Sequence, residues 1–362
     1  MSSAPILIVA GGTGGHVFPG LAVAEALRAR ERAVVWLGTQ RGLEARVVPA
    51  QGIEIEWISI AGVRRRGLLA WLIAPFKTAA AVVQVLGALR RRRPAAVLGL
   101  GGFVSGPGGI AAWLTRRPLL IHEQNAVVGT TNRWLARLAD RIFEAFPGAF
   151  PAARGAHCIG NPVRRAIVAV PAPRERANAR ADAPARLLVL GGSQGARALN
   201  ETVPAAIARL PAALRPRIRH QAGRTLDEAR AAYTAAGVDA EIESFIEDMA
   251  AAYANADLVI ARAGALTIAE LTAVGVAAIL VPYPYAVDDH QTRNAAYCVE
   301  RGAAVLIAEA DLSPERLAQE LQSLLAERAR LLQMSERARE MARPHAAEDL
   351  AAACIELAEQ YA

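Results

Sequence analysis

Short apolar runs of strand length alternate along the chain with longer stretches of helical periodicity, the pattern of a parallel sheet covered by helices. In the first half this predicts strands over residues 6–10, 33–37, 54–58, 96–100, 119–122 and 141–143, with helices over 20–30, 78–92 and 106–115. A second series of strands follows over 186–190, 218–221, 242–243, 258–260, 278–281 and 304–307. Between the two series, residues 160–185 are rich in Pro, Arg and Ala and lack a sustained apolar face, so a linker is predicted near 161–182. The expectation is an α/β protein with an N-terminal domain over 1–162 and a C-terminal domain over 163–340. The helix over 341–362 could pack on either of them.

The two halves echo each other. Ile6–Gly15 (ILIVAGGTGG) and Leu187–Ala196 (LLVLGGSQGA) each run from an apolar strand through two glycines and a hydroxyl residue to another glycine, and each leads into a helix. Glycine lets the backbone turn tightly and lets a ligand approach the amides, while the helix N-terminus favours phosphate. Nucleotide binding and an empty tight turn both fit one such loop, because short glycine patterns are weak signals. A third cluster, GLGGFVSGPGG from Gly99 to Gly109, also follows a strand. Three loops exceed what turn geometry needs and favour substrates rich in phosphate. Neither echoed loop carries the GK[ST] ending of a P-loop. Glu44 is not at the end of the second strand, so a dinucleotide site has little support.

Composition narrows the class. With 53% hydrophobic and 21% charged residues among 362, the chain can bury a large core in two domains. Cys158, Cys298 and Cys354 are far apart, which argues against a zinc site or a disulfide framework and fits a reducing compartment. The opening MSSAPILIVAGG runs straight into a strand, and no signal peptide is expected. The formal net charge is +7, yet the ten Lys and Arg residues between Trp57 and His122 stand among no acidic residue. Elsewhere 31 basic residues face 34 acidic ones, so the basicity is regional.

Several polar residues invite chemistry. His16 ends the first glycine loop and could be a general base or a helix-entry residue bonded to backbone. Glu270, in ARAGALTIAEL, could accept both hydroxyls of a ribose or serve the helix dipole. Gln291 and Asn294 lie three apart and could read sugar hydroxyls or form solvated surface. No DxD pair occurs, so no metal-chelating diphosphate site is indicated and no cofactor is expected.

In order and spacing, GGTGGHVFPG, GGFVSGP, HEQNAVVGTTN, GNPVR, GGSQGA, RAGALTIAE and DDHQTRNA closely resemble the bacterial MurG family, over about Ile6 to Ala296. These are UDP-N-acetylglucosamine (UDP-GlcNAc) transferases acting on undecaprenyl-pyrophosphoryl-N-acetylmuramoyl-pentapeptide. The resemblance implies GT-B architecture, two Rossmann-like parallel-sheet domains facing across a cleft. It implies a donor site made mainly by the second half, with Ser193 and Arg164 at the nucleotide or its diphosphate and Ile246 holding uracil through its backbone. Ala265, Leu266, Thr267, Ile268, Ala269 and Glu270 would cover phosphate, ribose and sugar, and Gln291 and Asn294 the GlcNAc hydroxyls. Thr13, Gly14, Gly15 and Asn125 would complete the donor site. Gly102, Ser105 and Gly106 would lie at the acceptor pyrophosphate. Phe103 stands where the pattern often has Tyr.

The implied reaction is inverting attack by the acceptor's 4-hydroxyl on the anomeric carbon, giving a β-1,4 linkage. His16 is the expected base, with His122 and Glu123 in reserve. Arg64, Arg65, Arg66, Leu69, Trp71, Leu72, Phe76 and Lys77 combine a basic rim with apolar residues, suited to lying on an anionic bilayer surface. Pro75, Lys77 and Gln84 interrupt the run that a spanning helix would need. The expected location is the cytoplasmic face of the bacterial membrane, peripherally bound, with other cell-wall synthesis proteins as further partners and no nucleic acid. Rival readings are another GT-B enzyme, such as a diacylglycerol glycosyltransferase or UDP-GlcNAc 2-epimerase, and a non-catalytic basic membrane-surface protein.

Overall fold

The computed structural model describes residues 4–60, 68–179, 183–192 and 195–361, with residues 68–74 described in backbone only. The chain forms two compact units, one of residues 1–164 and 343–362 and the other of residues 165–342. Each holds one parallel sheet, whose central strands are unbroken apolar runs joined by helices.

The first unit contains β1 (Ile6–Val9), β2 (Val34–Gly38), β3 (Glu54–Trp57), β4 (Ala96–Gly99), β5 (Leu119–Glu123), β6 (Arg141–Glu144) and β7 (His157–Cys158). They are ordered β3-β2-β1-β4-β5-β6-β7. The second unit contains β8 (Arg186–Leu190), β9 (Arg217–Gln221), β10 (Glu241–Glu243), β11 (Leu258–Ala261), β12 (Ala277–Leu280) and β13 (Ala304–Leu306), ordered β10-β9-β8-β11-β12-β13. Both orders reverse direction once, between β1 and β4 and between β8 and β11. In open α/β sheets that switch point, at the carboxyl ends of the strands, is where ligands bind. All three glycine clusters leave strands bordering a switch point.

The last helix, Ala346–Gln360, belongs to the first unit. Its Leu350, Cys354 and Leu357 are buried in one core with Val23 and Leu27 of the helix Gly14–Arg28. The helices Pro314–Ala326 and Arg328–Glu340 instead bury Leu317, Leu321, Leu331 and Met334 in the second unit.

Three segments differ from the sequence expectation. The first helix starts at Gly14, not beyond Pro19, so His16 lies in its first turn with Pro19 buried inside the helix. The helix predicted over 78–92 begins at Leu68 and contains Pro75. The predicted linker contains the helices Arg165–Val168 and Pro173–Asn178. Arg176 there is buried and donates to the carbonyls of Pro171, Val274 and Gly275, at 2.6, 2.8 and 2.7 Å. A guanidinium thus serves the C-terminus of the helix Ala265–Val274, a contact that composition does not reveal. Strand β7, two residues long, has no apolar run to announce it.

Among the described residues, no helix is long and apolar enough to cross a membrane. The basic region is also less bare than its sequence suggests. Glu54 and Glu56 on β3 meet the end of the helix Leu68–Arg92, where Arg91 reaches Glu56 at 2.6 Å and Arg92 reaches both carboxylates.

Each unit buries a histidine. Burial lowers His122 and His220 from an ordinary 6.5 to about 4. The unfolded chain therefore takes up protons that the folded chain refuses as pH falls below 6.5. The stability contributed by the neutral rings is present above 6.5 and is lost progressively toward 4. Thermal melts should show the midpoint falling over this window, as stability drops by up to about 1.4 kcal/mol per pH unit for each ring. A flat midpoint between about pH 6.5 and 5 would contradict this assignment.

Candidate active site

In the first unit, β1 ends in Gly11 and Gly12 and the helix Gly14–Arg28 begins at the exposed Thr13, whose side chain makes no cap bond. The Gly14 and Gly15 amides fall in the first turn, which intrahelical bonding leaves unpaired. Glu44 lies beneath this loop, fully buried. Its carboxylate accepts from the Gly12 amide at 3.0 Å and from the Thr39 amide and hydroxyl at 3.0 and 2.8 Å. Glu44 is therefore an internal brace of the loop.

The loop after β4 packs directly on this one. Gly101 and Gly102 have φ of +97° and +77°, and a Cβ on Gly102 would stand 2.3 Å from the Gly11 carbonyl oxygen. His16 rests against Gly101. Its Nδ1 lies 3.0 Å from the Leu100 carbonyl oxygen and 3.2 Å from Gln124 Oε1. Both are acceptors, so Nδ1 carries the proton and the neutral ring's lone pair is on Nε2. That is the tautomer a general base needs.

Ser105, expected at the acceptor pyrophosphate, is fully buried. Its hydroxyl lies 2.7 Å from the Gly101 carbonyl and 3.1 Å from that of Val9, and accepts from the Gly101 amide at 2.9 Å. What it contributes is the shape of the loop. Gly102 is at the turn and Gly106 lies in the first turn of the helix Ser105–Leu114. Phe103 packs by the first loop, 3.2 Å from where a Gly12 Cβ would be.

At the end of β5, Glu123 accepts from the Asn125 amide and side chain, the Gly129 amide and the Asn132 side chain, all within 2.9–3.2 Å. His122 is buried against the Gly160 carbonyl at 2.8 Å. The two reserve bases are thus committed to internal structure. Arg164 ends the first unit with its guanidinium 5.0 Å from the centre of the Phe18 ring.

In the second unit, the turn after β9 supports the loop after β8. A Cβ on Gly223 would stand 2.3 Å from the Gly195 amide, and Asn200 Nδ2 donates to the Ala222 carbonyl and Thr225 hydroxyl. Ser193 lies outside the described residues. After β11, Gly264 caps the helix Ala265–Val274, which carries Leu266, Thr267, Ile268 and Ala269. Glu270 in it is buried and accepts from the Tyr253 hydroxyl at 3.0 Å. Ile246 is fully buried. Gln291 and Asn294 share the helix His290–Val299 but differ in their hydrogen-bond partners. Gln291 Oε1 accepts from the Tyr283 amide at 2.9 Å, whereas buried Asn294 donates to the Ala263 carbonyl at 3.2 Å.

Gly101, Gln124 and Tyr253 escaped the sequence reading. The first two stand inside quoted motifs, but their partners are 85 and 108 positions away in the chain, at His16. Tyr253 has no local signal at all. Of the membrane-contact residues, Arg64, Arg65 and Arg66 lie outside the described residues, and Leu69, Trp71 and Leu72 are placed in backbone only. Phe76 is 77% exposed, and Lys77 beside it is exposed too.

The glycosyltransferase family 28 N-terminal domain matches residues 6–144, and the C-terminal domain of the same family matches residues 186–350. The UDP-N-acetylglucosamine--N-acetylmuramyl-(pentapeptide) pyrophosphoryl-undecaprenol N-acetylglucosamine transferase of Alkalilimnicola ehrlichii is 60% identical over 353 residues, 97% of this chain and 98% of the relative. The protein of the same name from Nitrosococcus oceani is 59% identical, covering 98% of both chains. The crystal structure of Acinetobacter baumannii MurG matches with a TM-score of 0.82 at 41% identity, over 97% of this chain and 99% of that one. Fold and family matches define the class as a glycosyltransferase of GT-B architecture. Identity of this degree over nearly the full length goes further, and the chain belongs to the MurG family of N-acetylglucosaminyltransferases. The rival epimerase, diacylglycerol transferase and non-catalytic readings are not favoured.

Gly101→Ala tests the loop packing, since its Cβ would stand 2.7 Å from His16 Nδ1 on a left-handed backbone. Displacing the ring should lower kcat on the order of 10²-fold. UDP binding by calorimetry should be retained. Wild-type turnover in this variant would show that the ring's position does not matter.

Proposed function

We propose that this enzyme moves N-acetylglucosamine from UDP-GlcNAc to the 4-hydroxyl of undecaprenyl-pyrophosphoryl-N-acetylmuramoyl-pentapeptide, with inversion, in peptidoglycan precursor synthesis. The observation that carries the mechanism is His16 in the first helical turn at the switch point, with Nδ1 against the Leu100 carbonyl. Its Nε2 takes the proton of the attacking hydroxyl as the new C–O bond forms and the bond to the UDP oxygen breaks. The departing diphosphate takes up negative charge. Ser193, Arg164 and the amides at the start of the helix Arg197–Ala208 are assigned to it, because fixed donors stabilise charge without reorganising.

Ile246 is assigned to uracil through its backbone, Glu270 to the ribose, and residues 265–269 to phosphate and sugar. Gln291 and Asn294 are assigned to the GlcNAc hydroxyls. The Tyr283 amide already holds the carbonyl oxygen of Gln291, which leaves that side chain its NH2 as donor. Thr13, Gly14, Gly15 and Asn125 are assigned to the reacting sugar, and the backbone at Gly102 and Gly106 to the acceptor pyrophosphate, with Ser105 shaping the loop. His16→Ala should reduce turnover roughly 10²–10⁴-fold while UDP-GlcNAc affinity is kept. Undiminished UDP release with the lipid-linked acceptor would remove His16 from the mechanism.

Because the acceptor is lipid-linked, we assign Arg64, Arg65, Arg66, Leu69, Trp71, Leu72, Phe76 and Lys77 to contact with anionic lipid on the cytoplasmic face. The exposed Phe76 beside Lys77 supports this. Replacing Trp71 and Phe76 with serine should lower flotation with anionic liposomes. Flotation equal to the wild type would place the contact elsewhere.

A further inference from the structure

We propose that Gln124 is a positioning residue for the transfer, its side-chain amide fixing the tautomer and ring orientation of His16. The inference rests on the reading of His16 as base.

The Leu100 carbonyl can only accept. Gln124 Nε2 donates to it at 2.7 Å, which identifies the NH2 end of the amide and turns Oε1 to His16 Nδ1 at 3.2 Å. Nδ1 therefore faces two acceptors and must hold the proton. The other end of the network is set in the same sense. His122 Nε2 lies 2.8 Å from the Gly160 carbonyl and must be the protonated nitrogen there. In the neutral ring this leaves Nδ1 to accept, and it faces Gln124 Nε2 at 3.3 Å. Burial keeps His122 neutral at ordinary pH, with its pKa lowered to about 4. A proton on that Nδ1 would oppose the Gln124 NH2 and turn the amide away from His16.

The backbone of Gln124 is held as well, its carbonyl accepting from Asn161 Nδ2 at 3.0 Å. Gln124 is 2% exposed, so it acts through His16 and not on the substrate. The titratable groups on the surrounding elements are His122 and Glu123 at the end of β5, Glu144 beside them on β6, Arg343 against Gly160, Glu44 under the first loop, and Arg164 over Phe18. The loop after β4 contributes none. A carboxylate in place of Gln124 would face the Nδ1–H directly and favour the doubly protonated ring.

The test uses the full chain with UDP-GlcNAc and the lipid-linked muramoyl acceptor across pH. Gln124→Met should lower kcat by about tenfold or more, with KM for UDP-GlcNAc unchanged within about twofold. Gln124→Glu should move the acid limb of kcat/KM up by about one pH unit. Nitrogen-15 histidine spectra, with His16 identified by its absence in His16→Gln, should show Nδ1–H in the wild type and a tautomer mixture in Gln124→Met. The spectra read the inference even if one variant turns over poorly. If the acid limb vanishes in His16→Gln but stays unmoved in Gln124→Glu, and the Gln124→Met tautomer is unchanged, the role of Gln124 is overturned and the base reading stands. If His16→Gln keeps both limb and turnover, the base reading falls and the catalytic role of Gln124 with it.

Discussion

No side chain fits on Gly102, because the Gly11 carbonyl is already within 2.3 Å of where its Cβ would be. That approach brings the loops after β1 and β4 into backbone contact at the switch point of the first sheet. Gly101, at φ +97°, then presents bare backbone to the His16 ring. The ring takes its orientation from the Leu100 carbonyl on one side and Gln124 on the other. Ser105 ties Gly101 back to Val9 of β1, so the surface beneath the histidine is continuous with the sheet. In the role proposed for it, a ring held this way would lose little freedom when the substrate arrives, which is the physical content of preorganisation.

The groups packed beneath the two similar glycine strings differ. In the first unit a buried carboxylate, Glu44, already occupies the Gly12 amide, so that amide is not available to an anion. In the second unit the neighbouring turn offers neutral partners, with Asn200, Thr225 and the Ala222 carbonyl bonded among themselves. A phosphate near the second loop meets no such buried negative charge from these groups. In the proposed donor site the start of the helix Arg197–Ala208 would favour such a phosphate. Similarity of the strings reflects a shared βα turn, and the groups under each loop differentiate them.

Charge elsewhere is redistributed in a comparable way. Glu54 and Glu56 stand just outside the basic stretch in the chain, yet β3 carries them to Arg91 and Arg92. Surface ion pairs of this kind contribute little to stability. For the proposed membrane contact this leaves Arg91 and Arg92 already paired, whereas Phe76 and Lys77 are exposed.

The alternation of apolar runs and helical periods was sufficient for the two parallel sheets, since a strand buried on both faces must be apolar throughout. The glycine clusters located the functional strand ends, because a tight βα turn needs glycine whatever it binds. Seven motifs in order identified the family. The order did not disclose which side chains would be spent inside the protein. Ser105 is expected at the acceptor and Glu123 as a reserve base, yet the hydroxyl of one and the carboxylate of the other bond to backbone and neighbours within the first unit. Gln124 and Gly101 look incidental and turn out to border the His16 ring. Local patterns determine strands, turns and helix starts, because those obey rules spanning a few residues. Which polar groups find each other, over separations such as the 108 positions between His16 and Gln124, was decided only when the sheet brought β1, β4 and β5 side by side.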